Sequence, residues 1–259
     1  MSLAGLILVV YTYFIKKIYI KIEHIKFFLY LSLCNIYLNS IFEIWGLNNM
    51  NSSKVCLIYS LSPFFTSIIA FFILNEIITL KKFIGIIIGL LGMMPIIYNK
   101  DLEEINKTTS FFISYSEISI ILAVIFSVLG WIFLKKIINL GYSFILANGI
   151  SMTLGGFFIL IHSFFFEENW NIFPVNNWKQ FIFFTLICTI ISNIICYNLF
   201  GYLLKYFSTT FMTFAGLITP FFSSFFGWLF LNENITWYFF LSIMIFILGL
   251  TIFYKEESK

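Results

Sequence analysis

The sequence predicts an all-α polytopic membrane protein made of two inverted-topology helical repeats, and three observations carry that reading. First, the 259 residues are 61% hydrophobic, 22% aromatic and 10% charged, with a mean hydropathy of +0.98. A soluble domain is about 45–50% apolar and about 25% charged. No water-soluble core could hide this much apolar surface, which excludes a soluble enzyme, a nucleic-acid binder and a disordered chain. Second, the apolar residues are gathered into runs near the ~20 residues that one helical span needs, without the ten-residue alternation of a membrane barrel. Third, the second half of the chain repeats the first.

Taken in order, the runs cover 3–20, 26–47, 54–74, 80–98, 117–134, 143–166, 180–204, 210–231 and 237–254. This gives about nine transmembrane helices. The breaks between them carry Lys, Asn, Glu, Pro or Gly, residues that end helices or stay in water. The one sizeable polar interval, NKDLEEINKTTS from Asn99 to Ser110, is a natural link between two halves. The expected organisation is a first repeat over 1–98, an extracytoplasmic linker over 99–116 and a second repeat over 117–259. No basic region precedes the first run and no small-residue cleavage site follows it, so no signal peptide is expected.

A shift of 157 positions superimposes LSPFFTSIIAFFILNEIITL at 61–80 on ITPFFSSFFGWLFLNENITW at 218–237. Pro63 then falls on Pro220, Ser67 on Ser224, Leu74-Asn75-Glu76 on Leu231-Asn232-Glu233, Thr79 on Thr236 and Gly92 on Gly249. Such a gap-free match across two helices and a turn marks a duplication. The lysines orient it. Eleven of them, including Lys16, Lys17, Lys81, Lys82, Lys135, Lys136 and Lys255, lie on one side of alternate connections, and Lys54, Lys100, Lys107 and Lys179 on the other. The positive-inside rule places the first set, with the C-terminus, in the cytoplasm. Glu76 is then cytoplasmic and Glu233 external, so the two copies are inverted. An inverted repeat needs an odd number of helices, and the first copy shows four against five. We therefore expect a ten-helix plan lacking its first helix.

Several polar residues interrupt the oily runs. Glu43 is the one carboxylate well inside a run, and it shares a helical face with Asn39, Asn35 and Ser32 at spacings of 4, 4 and 3. Charge near mid-helix costs about 2.5–3.5 kcal/mol on insertion scales. Such a stripe either bonds neighbouring helices or walls a cavity where Glu43 meets a proton or a cation. The equivalent run, 180–204, carries Thr185, Thr189, Asn193 and Tyr197, with Ser192 matching Asn35. Two symmetry-related stripes fit a site at the repeat interface, so Glu43, Asn39, Asn35, Ser192, Asn193 and Tyr197 are the candidate substrate-binding residues. Pro63 and Pro220, each beside Ser or Thr, are read as helix hinges. Glu76 and Glu233 are read as structural turn residues, with Thr79 and Thr236 as N-caps of the next helices.

Gly85 and Gly89 offer a close-packing face, and Trp131, Trp170, Trp178 and Trp237 read as interface anchors. The four cysteines lie within apolar stretches and read as unpaired packing residues. His24 and His162 have no Cys or carboxylate at ligand spacing, so neither a metal nor a cofactor is expected. Every lysine sits at a run's end, so nothing mid-membrane would neutralise a phosphate. The glutamate in an aromatic interior instead suits a cationic or zwitterionic solute.

The repeat, its small residues before Pro, the LNE-x-I-T turn and the Gly-bearing last helix resemble the drug/metabolite transporter superfamily, EamA type. The residues carrying the resemblance run from Ser52-Ser53 to Gly92 and from Thr209-Thr210 to Gly249. It implies a multi-pass secondary transporter of the cytoplasmic (inner) membrane, working by alternating access on a small-molecule substrate, and no enzyme. The stretches Glu43–Leu47, Ser52–Lys54 and Tyr59–Pro63 are similar to members from host-dependent bacteria, some of which exchange S-adenosylmethionine for S-adenosylhomocysteine. An amino-acid or metabolite exporter of the same superfamily and a non-transporting degraded paralogue are the alternatives. The expected partners are the solute and the lipid bilayer, with a homodimer left open and no nucleic acid.

Overall fold

The computed structural model describes residues 1–16, 20–48, 50, 55, 58–101, 114–166, 175, 177–231 and 237–257. Among them there are helices and no strand. The helices are α1 (Ser2–Lys16), α2 (Ile22–Leu47), α3 (Ser62–Leu74), α4 (Leu80–Asp101), α5 (Tyr115–Asn139) and α6 (Phe144–Phe166). After these come α7 (Trp178–Leu203), α8 (Thr209–Ile218), α9 (Thr219–Leu231) and α10 (Trp237–Glu257). At 1.5 Å per residue, the 26 residues of α2 and of α7 exceed the ~30 Å hydrocarbon core. The helices' outward faces are oily: Phe72 of α3, Phe165 of α6, Phe183 of α7 and Phe230 of α9 are all well exposed. In water such surface would aggregate; in lipid it is the solvent-matched face.

The repeat is visible in the helix bounds. Residues 62–74 and 219–231 form α3 and α9, and α4 and α10 begin at Leu80 and Trp237, each pair offset by the 157 positions of the sequence repeat. Most of the linker expected at 99–116 lies outside the described residues; Asp101 still belongs to α4, and Tyr115 already belongs to α5.

The two prolines correct one expectation. Runs 54–74 and 210–231 are not single helices with prolines in their interiors. A tight turn, closed by Leu61 N–H to Ile58 O at 3.1 Å, precedes α3, and Pro63 stands second in that helix. Likewise α8 ends in a 3₁₀ turn, Gly216–Ile218, and Pro220 stands second in α9. A proline lacks the N–H that an interior residue gives to the carbonyl four back, but a first turn does not need it. The carbonyl left free by Pro220, that of Gly216, takes the Thr219 hydroxyl at 2.7 Å.

The chain divides into two compact units, Met1–Ile41 with Phe126–Tyr206, and Phe42–Ile125 with Phe207–Lys259. In the first, α1 packs along α6 with glycines at the crossing. A Cβ added at Gly5 would lie 2.5 Å from Thr153 N, and one at Gly149 3.1 Å from Val9 N. The α2 segment packs on α6 through Gly155, whose added Cβ would meet Ile36 Cβ at 2.5 Å, and α7 packs on α1 and α6.

In the second unit, α4 runs along α10. A Cβ at Gly85 would lie 2.9 Å from Gly249 O, and one at Gly92 3.1 Å from Ser242 O. Low numbers on one helix meet high numbers on the other, so the pair is antiparallel. Ser242 is the repeat equivalent of Gly85, and Gly249 that of Gly92, so the repeat maps the contact onto itself, as inverted copies require. Around it Ile86, Phe214, Leu217, Phe221, Phe246 and Phe253 form the core. One end is tied by charge. Lys82 Nζ meets Glu257 Oε2 at 2.5 Å, while Glu257 Oε1 accepts from Ser208 N–H at 2.8 Å.

Glu76 does more than close a turn. Asn75 adopts φ 56° and ψ 33° after α3, a left-handed cap with Glu76 N–H reaching back to Ala70 O at 3.3 Å. The Glu76 carboxylate then accepts from Thr209 N–H at 2.9 Å and from the Thr210 hydroxyl at 3.0 Å, capping α8. Thr79 takes Lys82 N–H at 3.3 Å, the expected N-cap. Glu233 and Thr236 lie outside the described residues.

Candidate functional site

Both stripe-bearing helices depart from α geometry at the same place. In α2 the backbone is π-helical over Ser32–Leu38, and in α7 over Thr189–Cys196. Ser32 and Thr189 are again 157 positions apart. The two segments read SLCNIYL and TIISNIIC, so the irregular backbone recurs although the side chains differ. π-segments are rare and gather at functional sites.

A π-segment also winds less per residue, which rotates whatever follows it. Asn39 and Glu43 follow the π-segment of α2 in the regular α-helical stretch Asn39–Leu47. The unit boundary falls between Ile41 and Phe42, so Asn35 and Asn39 belong to the first unit and Glu43 to the second. Asn35 is 2% exposed and lies against Gly130 of α5, where an added Cβ would collide with its Cβ. Its Nδ2 has no acceptor among the described residues, whereas Ser32 donates to Phe28 O at 2.8 Å. Asn39 is half-buried. Glu43, also half-buried, accepts a hydrogen bond from the Tyr59 hydroxyl.

On α7, Asn193 is buried and Ser192 exposed. Tyr197 packs with Ile194 on a cluster of Ala4, Leu8, Ile36 and Met152, which brings the two π-segments to one patch of the α1–α6 pair. The Tyr197 ring centroid lies 5.3 Å from that of Trp131, and the Phe200 centroid lies 4.1 Å from it. Trp131, read from sequence as an interface anchor, is half-buried and well inside α5. Trp178 and Trp237 do stand at the first positions of α7 and α10, and Trp170 lies outside the described residues.

Sequence reasoning missed Asn148. It is 1% exposed, and its Nδ2 donates to Tyr197 O at 2.9 Å and to Asn198 Oδ1 at 3.2 Å. The signal was present: Asn148, Ser151 and Gly155 stand at spacings of 3 and 4 in run 143–166, a polar and small face on an oily helix. The histidines have tyrosine partners, His24 Nδ1 with the Tyr142 hydroxyl at 2.8 Å and His162 Nδ1 with that of Tyr37 at 3.2 Å. Glycine-mediated crossings, recurrent π-segments, and amides and an acid inside oily helices are the parts of a membrane carrier for a small polar solute.

The comparisons with known proteins agree. The pattern of the EamA-like transporter family matches residues 1–98 and 114–255, and the chain belongs to that family: it is a multi-pass membrane transporter and not an enzyme. Among its relatives is the S-adenosylmethionine/S-adenosylhomocysteine transporter of Chlamydia muridarum (strain MoPn / Nigg), 34% identical over 88% of this chain and 72% of that protein. The protein of the same name from Chlamydia trachomatis serovar L2 (strain ATCC VR-902B / DSM 19102 / 434/Bu) is 34% identical over 88% of this chain and 70% of its own length. The uncharacterized transporter YoaV of Bacillus subtilis (strain 168) is 25% identical over 85% of this chain and 73% of that protein. A protein crystal structure matches with a TM-score of 0.68 over 98% of this chain and 85% of its own, at 11% identity, which speaks to the fold.

Proposed function

We propose that the chain is a secondary transporter of the cytoplasmic membrane that exchanges S-adenosylmethionine for S-adenosylhomocysteine by alternating access, with its C-terminus in the cytoplasm. The observation that carries the reading is the 34% identity, over 88% of this chain, to transporters named for that pair. The chemistry of the helices supports it. A sulfonium is a compact cation, which aromatic faces and a carboxylate hold well, and the amino-acid end adds a zwitterion that amides can bond. Glu43, Asn39, Asn35, Ser192, Asn193 and Tyr197 are the residues assigned to the solute, and Pro63 and Pro220 to the bends at which α3 and α9 restart. The lysine asymmetry supports the orientation.

The test is uptake of radiolabelled S-adenosylmethionine into proteoliposomes carrying the purified chain, preloaded or not with S-adenosylhomocysteine. Preloading should accelerate entry several-fold. Folded protein that accumulates neither solute but moves amino acids would replace this reading with the exporter one. Folded protein that moves nothing would make it a non-transporting paralogue.

A further inference from the structure

Two polar side chains on α6 are buried with bonding capacity to spare. Asn148 and Ser151 are each 1% exposed and stand one turn apart on one face. The orientation of the Asn148 amide follows from its neighbours. Asn198 Nδ2 is taken by Ile194 O at 2.7 Å, so Asn198 presents its oxygen, at 3.2 Å, to Asn148. Tyr197 presents a carbonyl at 2.9 Å. Both neighbours are acceptors, so the Asn148 NH₂ must face them and its oxygen must face away. That oxygen, Oδ1, has no donor among the described residues, and neither does Ser151 Oγ have a partner. Gly201 makes room for the amide: a Cβ there would lie 3.3 Å from Asn148 Nδ2 and 3.0 Å from Phe144 Cβ. The amide also holds the backbone of Tyr197, whose ring faces Trp131. An unused acceptor, a hydroxyl and an aromatic surface thus belong to one locality of the first unit.

Orphaned buried polar atoms are uncommon in native proteins, and each calls for a water, an ion or a role. We propose that Asn148 Oδ1 and Ser151 Oγ form a subsite that accepts hydrogen bonds from an amino group of the transported solute, beside the Trp131–Tyr197 surface. A carbonyl oxygen can only accept, so the group it takes must be an N–H or O–H donor. S-adenosylmethionine and S-adenosylhomocysteine carry two nitrogen donors, the α-ammonium and the adenine amine, besides their two ribose hydroxyls, which keep their donors when either amine is removed. The proposal rests on the transport reading given above and names the chemistry of the solute group that α6 holds.

Ser151→Ala separates a binding role from a packing one. The hydroxyl makes no bond among the described residues, so its removal should leave the melting temperature unchanged or raised. A hydroxyl that serves only packing or a water would leave transport unchanged too. In the proteoliposome exchange assay, the KM for S-adenosylhomocysteine should rise about fivefold, the effect of one ordinary hydrogen bond, with Vmax retained. The analogue lacking the responsible amine, either desamino-homocysteine or inosine in place of adenosine, should be moved equally well by wild type and variant. Equal KM values for wild type and Ser151→Ala with every solute would overturn the subsite. If the alanine variant fails to accumulate, Ser151→Cys, close in shape and weaker in hydrogen bonding, is read the same way. Wild type that moves a different amine in place of S-adenosylmethionine sinks the substrate assignment alone, and Ser151→Ala is then measured on that amine. Wild type that moves none sinks both.

Discussion

Glu43 illustrates what a single position can and cannot reveal. From sequence it was the one acid deep in an oily run, and the structure adds the Tyr59 hydroxyl as its partner. A carboxylate used as glue can be replaced by an amide, which keeps one accepting oxygen. If Glu43 instead meets a cation or a proton, Glu43→Gln should fold and lower transport by about tenfold or more, the equivalent of about 1.4 kcal/mol. Normal uptake by well-expressed Glu43→Gln would confine the residue to packing. Glu76 poses the opposite case, because its oxygens hold Thr209 and Thr210 at the start of α8. Glu76→Ala should cost about 0.5–2 kcal/mol, the range for a lost helix cap, and appear as a lower melting temperature with KM unchanged. A changed KM at wild-type stability would contradict the capping role. Asn148 escaped notice because an asparagine without a charge or a motif looks like any other interruption; only its neighbours reveal an unused oxygen.

Helix by helix, legibility followed the physics of each signal. The LNE turn and its 157-residue offset located the ends of α3 and α9 and the starts of α4 and α10, since caps and apolar length are local properties. The π-segments of α2 and α7 were invisible, because hydrophobic periodicity cannot register a backbone that winds slightly less per residue. The stripe from Ser32 to Glu43 rests on α periodicity alone, and a π-segment runs through its first half. The prolines were read as interior because apolar runs continue through them, while the backbone restarts a helix instead. Where α4 meets α10 the contact is backbone to backbone: a Cβ at Gly249 would lie 2.6 Å from Gly89 N and 2.7 Å from Gly85 O. Gly249→Leu should therefore abolish accumulation of folded protein, since neither atom can swing aside. Gly216→Ala, with nothing within 4 Å and helical φ and ψ of −59° and −21°, should leave stability unchanged or raise it by up to about 1 kcal/mol. Thermal unfolding in detergent distinguishes the two. Comparable losses at both glycines would mean that the α4–α10 crossing is not special.

At the scale of the molecule, the lysine count predicts sidedness that can be tested in intact cells. In a background without the native cysteines, Ser258→Cys should resist a membrane-impermeant thiol reagent and Asn106→Cys should react. The reverse labelling would overturn the orientation, and equal labelling the inversion. The fold as a whole was the most legible level, because composition fixes the solvent and a duplication fixes the plan. Which solute is carried was least legible, since a carrier's specificity depends on a few polar atoms converging from distant helices.

The self-complementary crossing of α4 and α10 also sets an order of events during synthesis. Its two halves are far apart along the chain: α4 ends at Asp101 and α10 starts at Trp237. At about 5–20 residues per second, α4 must wait roughly 10–30 s in the bilayer before its glycine face meets its mate. During that interval lipid tails are its neighbours, and it offers a groove that any passing small-residue helix could occupy. Chains ending after Leu231 would never leave this state. They should be cleared by membrane proteases far faster than chains that include α10 in a pulse-chase experiment, which makes α10 the timer for this crossing.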